Sequence, residues 1–466
     1  MAKANRAAAP ESVLASISIS RLRSGLKGRV IAPEDPGYDQ ARVVFYGGFD
    51  RRPAAIVRPA NDEDVARVIT IASEESLELA VRSGGHSQAG HSVTDGGIVL
   101  DLSDMRKLEI DAGRRTAWAQ AGLTTREYST RAEETGFVTP FGDTGSVGIA
   151  GITLGGGLGY LVRKHGLTID SLLAADVITA DGKKHGADAE THPDLFWAIR
   201  GGGGNFGVAT RFLFRLHELG PVTGGMLILP ATPDSIAGFV EAAEKAPEEV
   251  SAIASIMPAP PLPFLPSEWQ GRLVILAMLL HAGPSGDGPA ALSPFRSITK
   301  PIVDLIKSMR YADIFPPDQP GFHPLAKART MFLDAIDRHA AETIIERLKA
   351  SEAPMCAVQL RVLGGAMARV PVEATAFAHR GRKIMANVAA LYERPEEAAA
   401  RDAWVAGLTA ALHPREGAYV NFLGDEGEAR VREAYTGPTW DRLRAIKRRY
   451  DPENLFRLNQ NVPPAD

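Results

Sequence analysis

Cysteine is nearly absent from this chain of 466 residues, as are long apolar runs and an excess of either charge. The single cysteine, Cys356, excludes an internal disulfide bond and any metal site built on several thiolates. The apolar run at residues 273–280 is far shorter than the roughly 18 residues of a membrane span. The formal net charge is only −4, which gives no basic surface for nucleic acid or an anionic membrane.

The composition is that of an ordinary globular protein. Hydrophobic residues make up 45% of the chain and charged residues 23%, enough to bury a large core. The length predicts about three units of roughly 150 residues each. The first twenty residues contain no continuous apolar segment, so we expect no secretory signal and a cytoplasmic location.

The two halves of the chain differ in pattern. Strand-like and helical segments alternate in the first half and are separated by dense glycine clusters, with five glycines in residues 84–97 and nine in residues 142–166. Asn61 followed by acidic residues predicts a helix start. In the second half, strands such as residues 273–280 alternate with predicted helices at residues 234–245 and 372–387. We expect a domain boundary near residue 220.

The spacing of three glycines matches a dinucleotide-binding fingerprint, but the residues around them do not. Gly202, Gly204 and Gly207 match the spacing G-x-G-x-x-G, but that motif functions when its glycines open a helix that faces a pyrophosphate. Residues 208–216 instead alternate in the period of a strand, and no acidic residue follows at the expected ribose position. We therefore reject a Rossmann site, and the chain also lacks a P-loop and an H-E-x-x-H zinc motif, so no metal site is predicted.

The loop at residues 82–90 is the most specific stretch. Its paired glycines and its serines can direct several backbone N–H groups at one ligand, and His86 would stand beside that ligand. The alternative is a histidine that is simply satisfied within a turn. The second glycine cluster favours a ligand, because structure alone rarely requires so many glycines in residues 142–157.

Four segments together resemble a known family, in the family's order: residues 82–90, 147–183, 194–208 and 450–464. They are similar to the covalent flavoproteins of the berberine-bridge-enzyme and oligosaccharide-oxidase type, within the vanillyl-alcohol-oxidase superfamily. The resemblance implies an α+β fold with a two-part FAD-binding domain of the PCMH type. The implied division is an N-terminal extension (1–29), an FAD domain (30–220), a substrate domain of antiparallel sheet backed by helices (221–415) and a segment that returns to the FAD domain (416–466).

The resemblance also implies a cofactor site. His86 matches the histidine that is bonded to the flavin 8α-methyl, whereas Thr144 replaces the cysteine that forms a second link in many members, so we expect FAD held by one covalent bond. Val147 matches a position that is implied to leave oxygen access to the flavin. The other residues implied to contact the cofactor are Arg82, Ser83, Gly84, Gly85, Ser87, Gly90, Gly142, Ser146, Gly148, Gly151, Gly204, Gly207, Val208 and Asn421.

The implied catalytic machinery departs from the family pattern. Phe422 replaces the tyrosine that often accepts the substrate proton, which leaves Tyr419 as an implied substrate contact. Gln359 and Arg361 lie two residues apart on a predicted strand and share one face of it. Arg361 either pairs with a nearby acid or clamps a substrate carboxylate with its planar fork.

These residues predict an FAD-dependent oxidase for a small molecule, with O₂ as the acceptor. Hydride would pass from a substrate C–H to flavin N5, and the absent tyrosine favours a neutral amine over an alcohol. Two alternatives remain at this point: a flavin-containing protein that sequesters a toxin or drug, and a dehydrogenase that uses another electron acceptor. The sequence predicts no nucleic-acid or membrane partner.

Overall fold

The computed structural model describes residues 19–466. Residues 1–18, which make up most of the predicted N-terminal extension, lie outside the described residues. The described chain begins with helix α1 (Ile19–Gly25), whose Leu22 is buried in the first hydrophobic core.

The first sheet has four strands in the order β1-β2-β4-β3. Its elements are β1 (Arg29–Ile31), α2 (Tyr38–Arg42), β2 (Ala55–Arg58), α3 (Asp62–Glu74), β3 (Leu79–Arg82) and β4 (Ile98–Asp101). Strand β4 pairs in parallel with both β2 and β3. Asn61 caps α3 as predicted, because its side-chain oxygen accepts a hydrogen bond from the Asp64 N–H at 3.0 Å. The end of β3 delivers the chain into the loop that carries His86.

The second sheet is antiparallel and has the order β5-β6-β10-β8-β9. Strand β10 follows Gly207 directly, which confirms that these glycines open a strand and not a helix. The elements of this part are β5 (Leu108–Asp111), β6 (Thr116–Gln120), α4 (Thr125–Glu133), β7 (Phe137–Val138), α5 (Ile149–Leu154), α6 (Val162–His165), β8 (Leu172–Ile178), β9 (Lys184–Asp188), α7 (Pro193–Ile199), β10 (Val208–Arg215) and β11 (His217–Glu218), which pairs with β7.

The third sheet has eight antiparallel strands, in the order β15-β12-β14-β13-β18-β19-β17 with β16 also pairing with β12. Its strands are β12 (Val222–Pro230), β13 (Val250–Pro258), β14 (Leu273–His281), β15 (Val303–Asp304), β16 (Lys307–Met309), β17 (Leu325–Leu333), β18 (Met355–Val362) and β19 (Ile384–Tyr392). Helices α8 (Pro233–Lys245), α9 (Gly288–Arg296), α10 (Arg338–Lys349) and α12 (Ala398–Ala411) bury their apolar faces against one side of this sheet, and the short α11 (Ala366–Arg369) follows β18. The other side is left to face the first two sheets.

One predicted helix is wrong. Residues 372–387 were expected to be helical, but the structure has a short 3₁₀ turn at Val372–Ala374 and then β19 from Ile384 onwards. Strand β19 lies between β18 and β17. Its alanines hide the strand period, and pairing on both edges outweighs their preference for helix.

The chain returns to the first core after residue 416. Helices α13 (Glu428–Ala434) and α14 (Pro438–Tyr450) bury Val431, Leu443 and Ile446 in the same core as the first two sheets. The buried ammonium of Lys447 donates to the carbonyl oxygen of Asn205 at 2.8 Å and pairs with Asp451 at 2.6 Å. The α+β architecture predicted from sequence is present, and on this arrangement we propose domain boundaries at residues 30–220, 221–415 and 416–466. No helix within residues 19–466 is long and apolar enough to cross a membrane.

Candidate flavin and substrate site

A large cavity lies between the free face of the eight-stranded sheet and the first two sheets. Its volume is about 660 Å³, within the range of roughly 300–1,000 Å³ of small-molecule and cofactor sites. Loops around residues 83–92, 143–152 and 203–209 line one side, and residues 419–423 and 456–460 close it. Strands β12, β13, β14, β18 and β19 supply the opposite wall. The glycine-rich loops noted in the sequence therefore meet at one place.

Two of the glycine loops touch each other at the cavity wall. A Cβ atom on Gly84 would lie 2.2 Å from the backbone nitrogen of Gly148, and one on Gly148 would lie 2.3 Å from the nitrogen of Gly84. Neither position has room for a side chain. Gly85 has φ +72°, a left-handed conformation that glycine adopts without strain. The local sequence is thus required for the two loops to come together beside His86.

His86 stands in the cavity with its ring fixed on two sides. It stacks on Phe45 with ring centroids 4.1 Å apart and an interplanar angle of 19°. Burial lowers the pKa of His86 to about 4, although a hydrogen bond to the Ser146 backbone acts in the opposite direction. The imidazole is therefore neutral at pH 7 and keeps one ring nitrogen with a free lone pair, which is the form that can act as a nucleophile.

The cavity is suited to an extended polar ligand such as FAD. A Cβ atom on Gly151 or Gly204 would meet nothing within 4 Å, so at these positions the bare backbone keeps the cavity open. Among residues 19–466, the lining side chains whose buried polar atoms have no partner include Tyr435 with its hydroxyl, His91 with Nε2 and Asn459 with Oδ1. Buried polar groups are normally hydrogen-bonded, so these atoms fit a polar cofactor that runs along the cavity.

Most of the predicted cofactor contacts line this cavity. These are Ser83, Gly84, Gly85, His86, Ser87, Thr144, Val147, Gly148, Gly151, Gly204, Gly207, Val208 and Asn421. Arg82, Gly90, Gly142 and Ser146 lie outside the lining. Arg82 is buried and donates to the Asp101 carboxylate at 2.9 Å and to the Ala41 carbonyl oxygen at 2.6 Å, so it holds the loop rather than a ligand.

Tyr419 lines the cavity, but its hydroxyl is engaged elsewhere. The hydroxyl oxygen accepts hydrogen bonds from the backbone N–H groups of Gly157 and Leu158, both at 3.1 Å, and from the side-chain amide of Asn421 at 3.1 Å. Burial raises the pKa of Tyr419, so the phenol stays protonated. Tyr419 therefore fixes the backbone under the cavity, and the predicted substrate contact is limited to its ring.

Arg361 faces the cavity and is paired with an acid. Its Nε and Nη2 both donate to Oδ2 of Asp143, at 3.2 and 2.5 Å, and its side chain is 4% exposed. Its Cζ lies 4.9 Å from the ring centroid of Phe422. The two-bond edge predicted to clamp a substrate carboxylate is thus occupied by Asp143, whereas Nη1 is buried and finds no partner in the described part of the chain.

The substrate wall combines one polar strip with an apolar surface. Gln359 on β18 is the cross-strand neighbour of Asn387 on β19, and both line the cavity. Gln359 Nε2 donates to Ser255 Oγ at 3.3 Å, whereas Asn387 Oδ1 is buried and has no partner among the described residues. Met226, Ile253, Leu276 and Met278 supply the apolar part.

Sequence reasoning missed several lining residues. The sequence predicts no role in the site for four residues of the lining: Asp143, Asn387, Tyr46 and Tyr160. Asp143 nevertheless lies inside the second glycine cluster. The charge of Asp143 in an otherwise neutral glycine loop was the one available signal. No sequence signal marks Asn387, because the pattern of its segment predicts a helix.

Comparison with known proteins decides the family. A family model described as an FAD binding domain matches residues 53–187, and one described as berberine and berberine-like matches residues 418–463. An uncharacterized FAD-linked oxidoreductase of Bacillus subtilis, YvdP, is 33% identical over 94% of this chain and 99% of its own length. The chain belongs to the berberine-bridge-enzyme-like FAD-linked oxidoreductases.

Two further similarities come from one kind of oxidase in this family. The chain is 29% identical to the (R)-6-hydroxynicotine oxidase of Paenarthrobacter nicotinovorans, over 94% of this chain and 97% of that protein. The crystal structure of 6-hydroxy-D-nicotine oxidase from Arthrobacter nicotinovorans superposes with a TM-score of 0.82 at 26% identity, covering 94% and 98% of the two chains. The family and the fold class predicted from the sequence are confirmed, and the protein is an FAD-linked oxidoreductase.

Proposed function

We propose that this berberine-bridge-enzyme-like protein is an oxidase that holds FAD through one covalent bond at His86 and oxidises a small molecule at a C–H bond. The bound FAD would supply the two-electron chemistry, with O₂ as the final acceptor and hydrogen peroxide as the product. The observation that carries this proposal is the neutral imidazole of His86, fixed between Phe45 and the Ser146 backbone at the cavity wall.

A single attachment is supported by the surroundings of Thr144. Thr144 lines the cavity at the position where many relatives carry cysteine, and a hydroxyl does not replace a thiolate as a nucleophile toward flavin. Cys356 lies on β18 in the helix-backed core, is 1% exposed and does not line the cavity. Burial also raises the pKa of its thiol.

The protein's own residues would bind and orient the substrate. The apolar surface on β12, β13 and β14 excludes water, and the strip of Gln359, Asn387 and Arg361 provides the polar contacts. A cavity of this kind fixes a small ring-containing molecule by a few directed hydrogen bonds on an apolar body. Phe422 has no hydroxyl and that of Tyr419 is occupied, so neither accepts the substrate proton. This observation favours sequestration of a small molecule as the second candidate function.

Two experiments test the proposal. Acid-precipitated wild-type protein should retain its flavin fluorescence and a flavin-sized mass increase on the His86 peptide alone, and His86→Ala should lose both. Complete release of flavin from denatured wild type would refute the covalent bond. A second flavin adduct on the peptide that contains Cys356 would refute single attachment.

The second experiment distinguishes enzyme from binding protein. Amines and alcohols, including (R)-6-hydroxynicotine and xylobiose, are added anaerobically to the holoprotein while the flavin absorbance is followed. An oxidase loses its flavin absorbance with its substrate and recovers it rapidly in air with release of peroxide. Slow recovery in air would indicate the dehydrogenase, and absorbance shifts without bleaching would indicate a binding protein.

A further inference from the structure

Among the described residues, the cavity lining contains one carboxylate, Asp143, and one guanidinium, Arg361, and they form an ion pair with each other. They come from different parts of the chain, since Asp143 lies in the loop after β7 and Arg361 lies on β18. Arg361 is 4% exposed, whereas the side chain of Asp143 is 17% exposed. The pair is therefore open toward the cavity on the side of the acid.

Each member of the pair keeps an atom for a ligand. Both donors of Arg361 act on Oδ2 of Asp143, so Oδ1 receives only a hydrogen bond of 3.3 Å from the Thr144 hydroxyl. Nη1 of Arg361 is buried and has no partner within residues 19–466. A buried cationic N–H without an acceptor is costly, and a ligand oxygen or nitrogen is the simplest way to satisfy it.

The other ionisable groups of this region are poor proton acceptors. Burial raises the pKa values of Tyr46 and Tyr160, and the charge of Asp143 acts in the same direction on both. Tyr419 is held by three donors and is also protonated. His91 interacts with Asp425 and Arg51 instead of with the Asp143 pair. Burial also raises the pKa of Tyr435, and His86 is taken up by the proposed bond to FAD. Asp143 is the group that remains.

We propose that Asp143, positioned by Arg361, is the catalytic residue that accepts a hydrogen bond and then the proton from the reacting O–H or N–H of a neutral substrate. This inference rests on the proposed oxidase function and names its proton acceptor and substrate charge. The ion pair has no net charge, and its anion-binding edge is occupied, so the site selects against a free carboxylate. This replaces the anionic substrate expected from Arg361 in the sequence.

The proposed reaction breaks two bonds of the substrate. The substrate C–H bond breaks and its electron pair leaves with the hydrogen as hydride, which bound FAD would accept. The O–H or N–H bond breaks and its proton goes to the Asp143 carboxylate, while the electron pair left on the heteroatom forms the second bond to carbon. Bound FAD would pass the two electrons to O₂, and the hydrogen of the hydride together with the proton held by Asp143 would complete hydrogen peroxide.

A binding test needs no substrate. Benzoate and benzyl alcohol are titrated into the holoprotein while the flavin difference spectrum is recorded, for wild type and for Asp143→Asn. The substitution keeps the size of the side chain but releases the Nε and Nη2 edge of Arg361. Benzoate affinity should rise at least tenfold, because charge-assisted hydrogen bonds then become available, and benzyl alcohol affinity should fall severalfold.

Two controls separate this role from a structural one. The double variant Asp143→Asn/Arg361→Gln should lose the gain in benzoate affinity, because the cation that binds benzoate is gone. Asp313→Asn removes an exposed acid that pairs with Arg310 outside the cavity and should change neither affinity. Thermal unfolding of each holoprotein shows which variants are folded. If Asp143→Asn is unstable, Asp143→Ser replaces it, because it also frees the Nε and Nη2 edge of Arg361.

The rate test uses the compound found in the anaerobic screen. Asp143→Asn should slow flavin bleaching by that compound about 10²- to 10⁴-fold, as expected for loss of a general base. Unchanged benzoate affinity in Asp143→Asn would overturn the proposal, and so would an unchanged bleaching rate. If no compound bleaches the wild type, the proposed oxidase function is wrong. The benzoate titration then still tests whether Asp143 and Arg361 contact the bound ligand.

Discussion

The guanidinium of Arg361 lies over the ring of Phe422, with Cζ 4.9 Å from the ring centroid. The position at which related proteins often carry a tyrosine hydroxyl therefore presents an aromatic face to a cation. This contact and the ion pair with Asp143 hold the guanidinium on two sides, so Phe422 belongs to the same arrangement as the acid.

Phe422→Leu is expected to weaken that arrangement without removing any hydrogen-bonding group. Loss of a largely desolvated cation–π contact should lower the free energy of unfolding by about 1–2 kcal/mol, in addition to the effect of the smaller side chain. Urea unfolding of Phe422→Leu and of Phe422→Tyr measures the difference. Because tyrosine keeps the ring face, equal losses in the two variants would contradict a role for the contact.

Tyr419→Phe is expected to lower the free energy of unfolding by more than the loss of one hydrogen bond, because three donors share the Tyr419 hydroxyl oxygen. The backbone N–H groups of Gly157 and Leu158 and the Asn421 amide would lose their common acceptor in a buried place. Leaving such donors unsatisfied costs about 1–3 kcal/mol, and equilibrium unfolding measures it. If the hydroxyl were a catalytic base instead, substrate turnover would collapse while the unfolding curve stayed in place.

Covalent FAD incorporation at His86 should be independent of pH across the range in which free histidine titrates. Because the pKa of His86 is about 4, the imidazole is neutral at both pH 8 and pH 6. A histidine with the ordinary pKa of about 6.5 would keep only about a quarter of its reactive form at pH 6. Apoprotein is mixed with FAD at pH 8 and at pH 6, samples are quenched at set times, and the covalently bound flavin is measured by in-gel fluorescence. The two incorporation rates are then compared. Phe45→Ala exposes the ring and should restore a decline toward pH 6.

Protein stability is expected to fall as pH decreases from about 6.5 toward 4. Burial lowers the pKa values of six other described histidines: those of His91, His217 and His379 fall to about 4, that of His165 falls to about 3, and those of His185 and His281 are also lowered. Below pH 6.5 the unfolded chain binds protons at these residues and the folded protein does not, so protonation favours unfolding until the folded pKa is reached.

Urea midpoints measured between pH 8 and pH 4.5 test this expectation. They should be level above pH 7 and decrease below pH 6.5. His379→Gln removes one of the buried imidazoles, so it should reduce the slope by at most about 1.4 kcal/mol per pH unit. A slope that is the same in wild type and variant would show that His379 does not contribute.

Local patterns in the sequence predicted the parts of the site that are local in the chain. The capping residue Asn61, the strand after Gly207 and the helix at Pro233–Lys245 are all present. Each depends on neighbouring residues, through a side-chain cap, a period of two or a period of 3.6. The loop that carries His86 belongs to this group, because its glycines and its preceding strand are contiguous.

The arrangement of the substrate side could not be read in the same way. Asp143 and Arg361 are 218 positions apart and meet only because one lies in a loop of the first part and the other on the eight-stranded sheet. The Tyr419 hydroxyl is directed to backbone groups that no side-chain pattern reveals. Asn387 was hidden by an alanine-rich strand that resembles a helix. Each of these features depends on tertiary packing, which overrides local propensity.

The position of residues 456–460 in the cavity wall has a consequence for how the protein is made. Lys447 and Val462 both bind Asn205, so the late segment is fastened to a loop that is synthesised more than two hundred residues earlier. A ribosome that has completed the His86 loop has not yet produced the residues that complete the pocket around it. Cofactor capture is therefore a step after translation of this segment, and nascent chains must remain competent for loading until then.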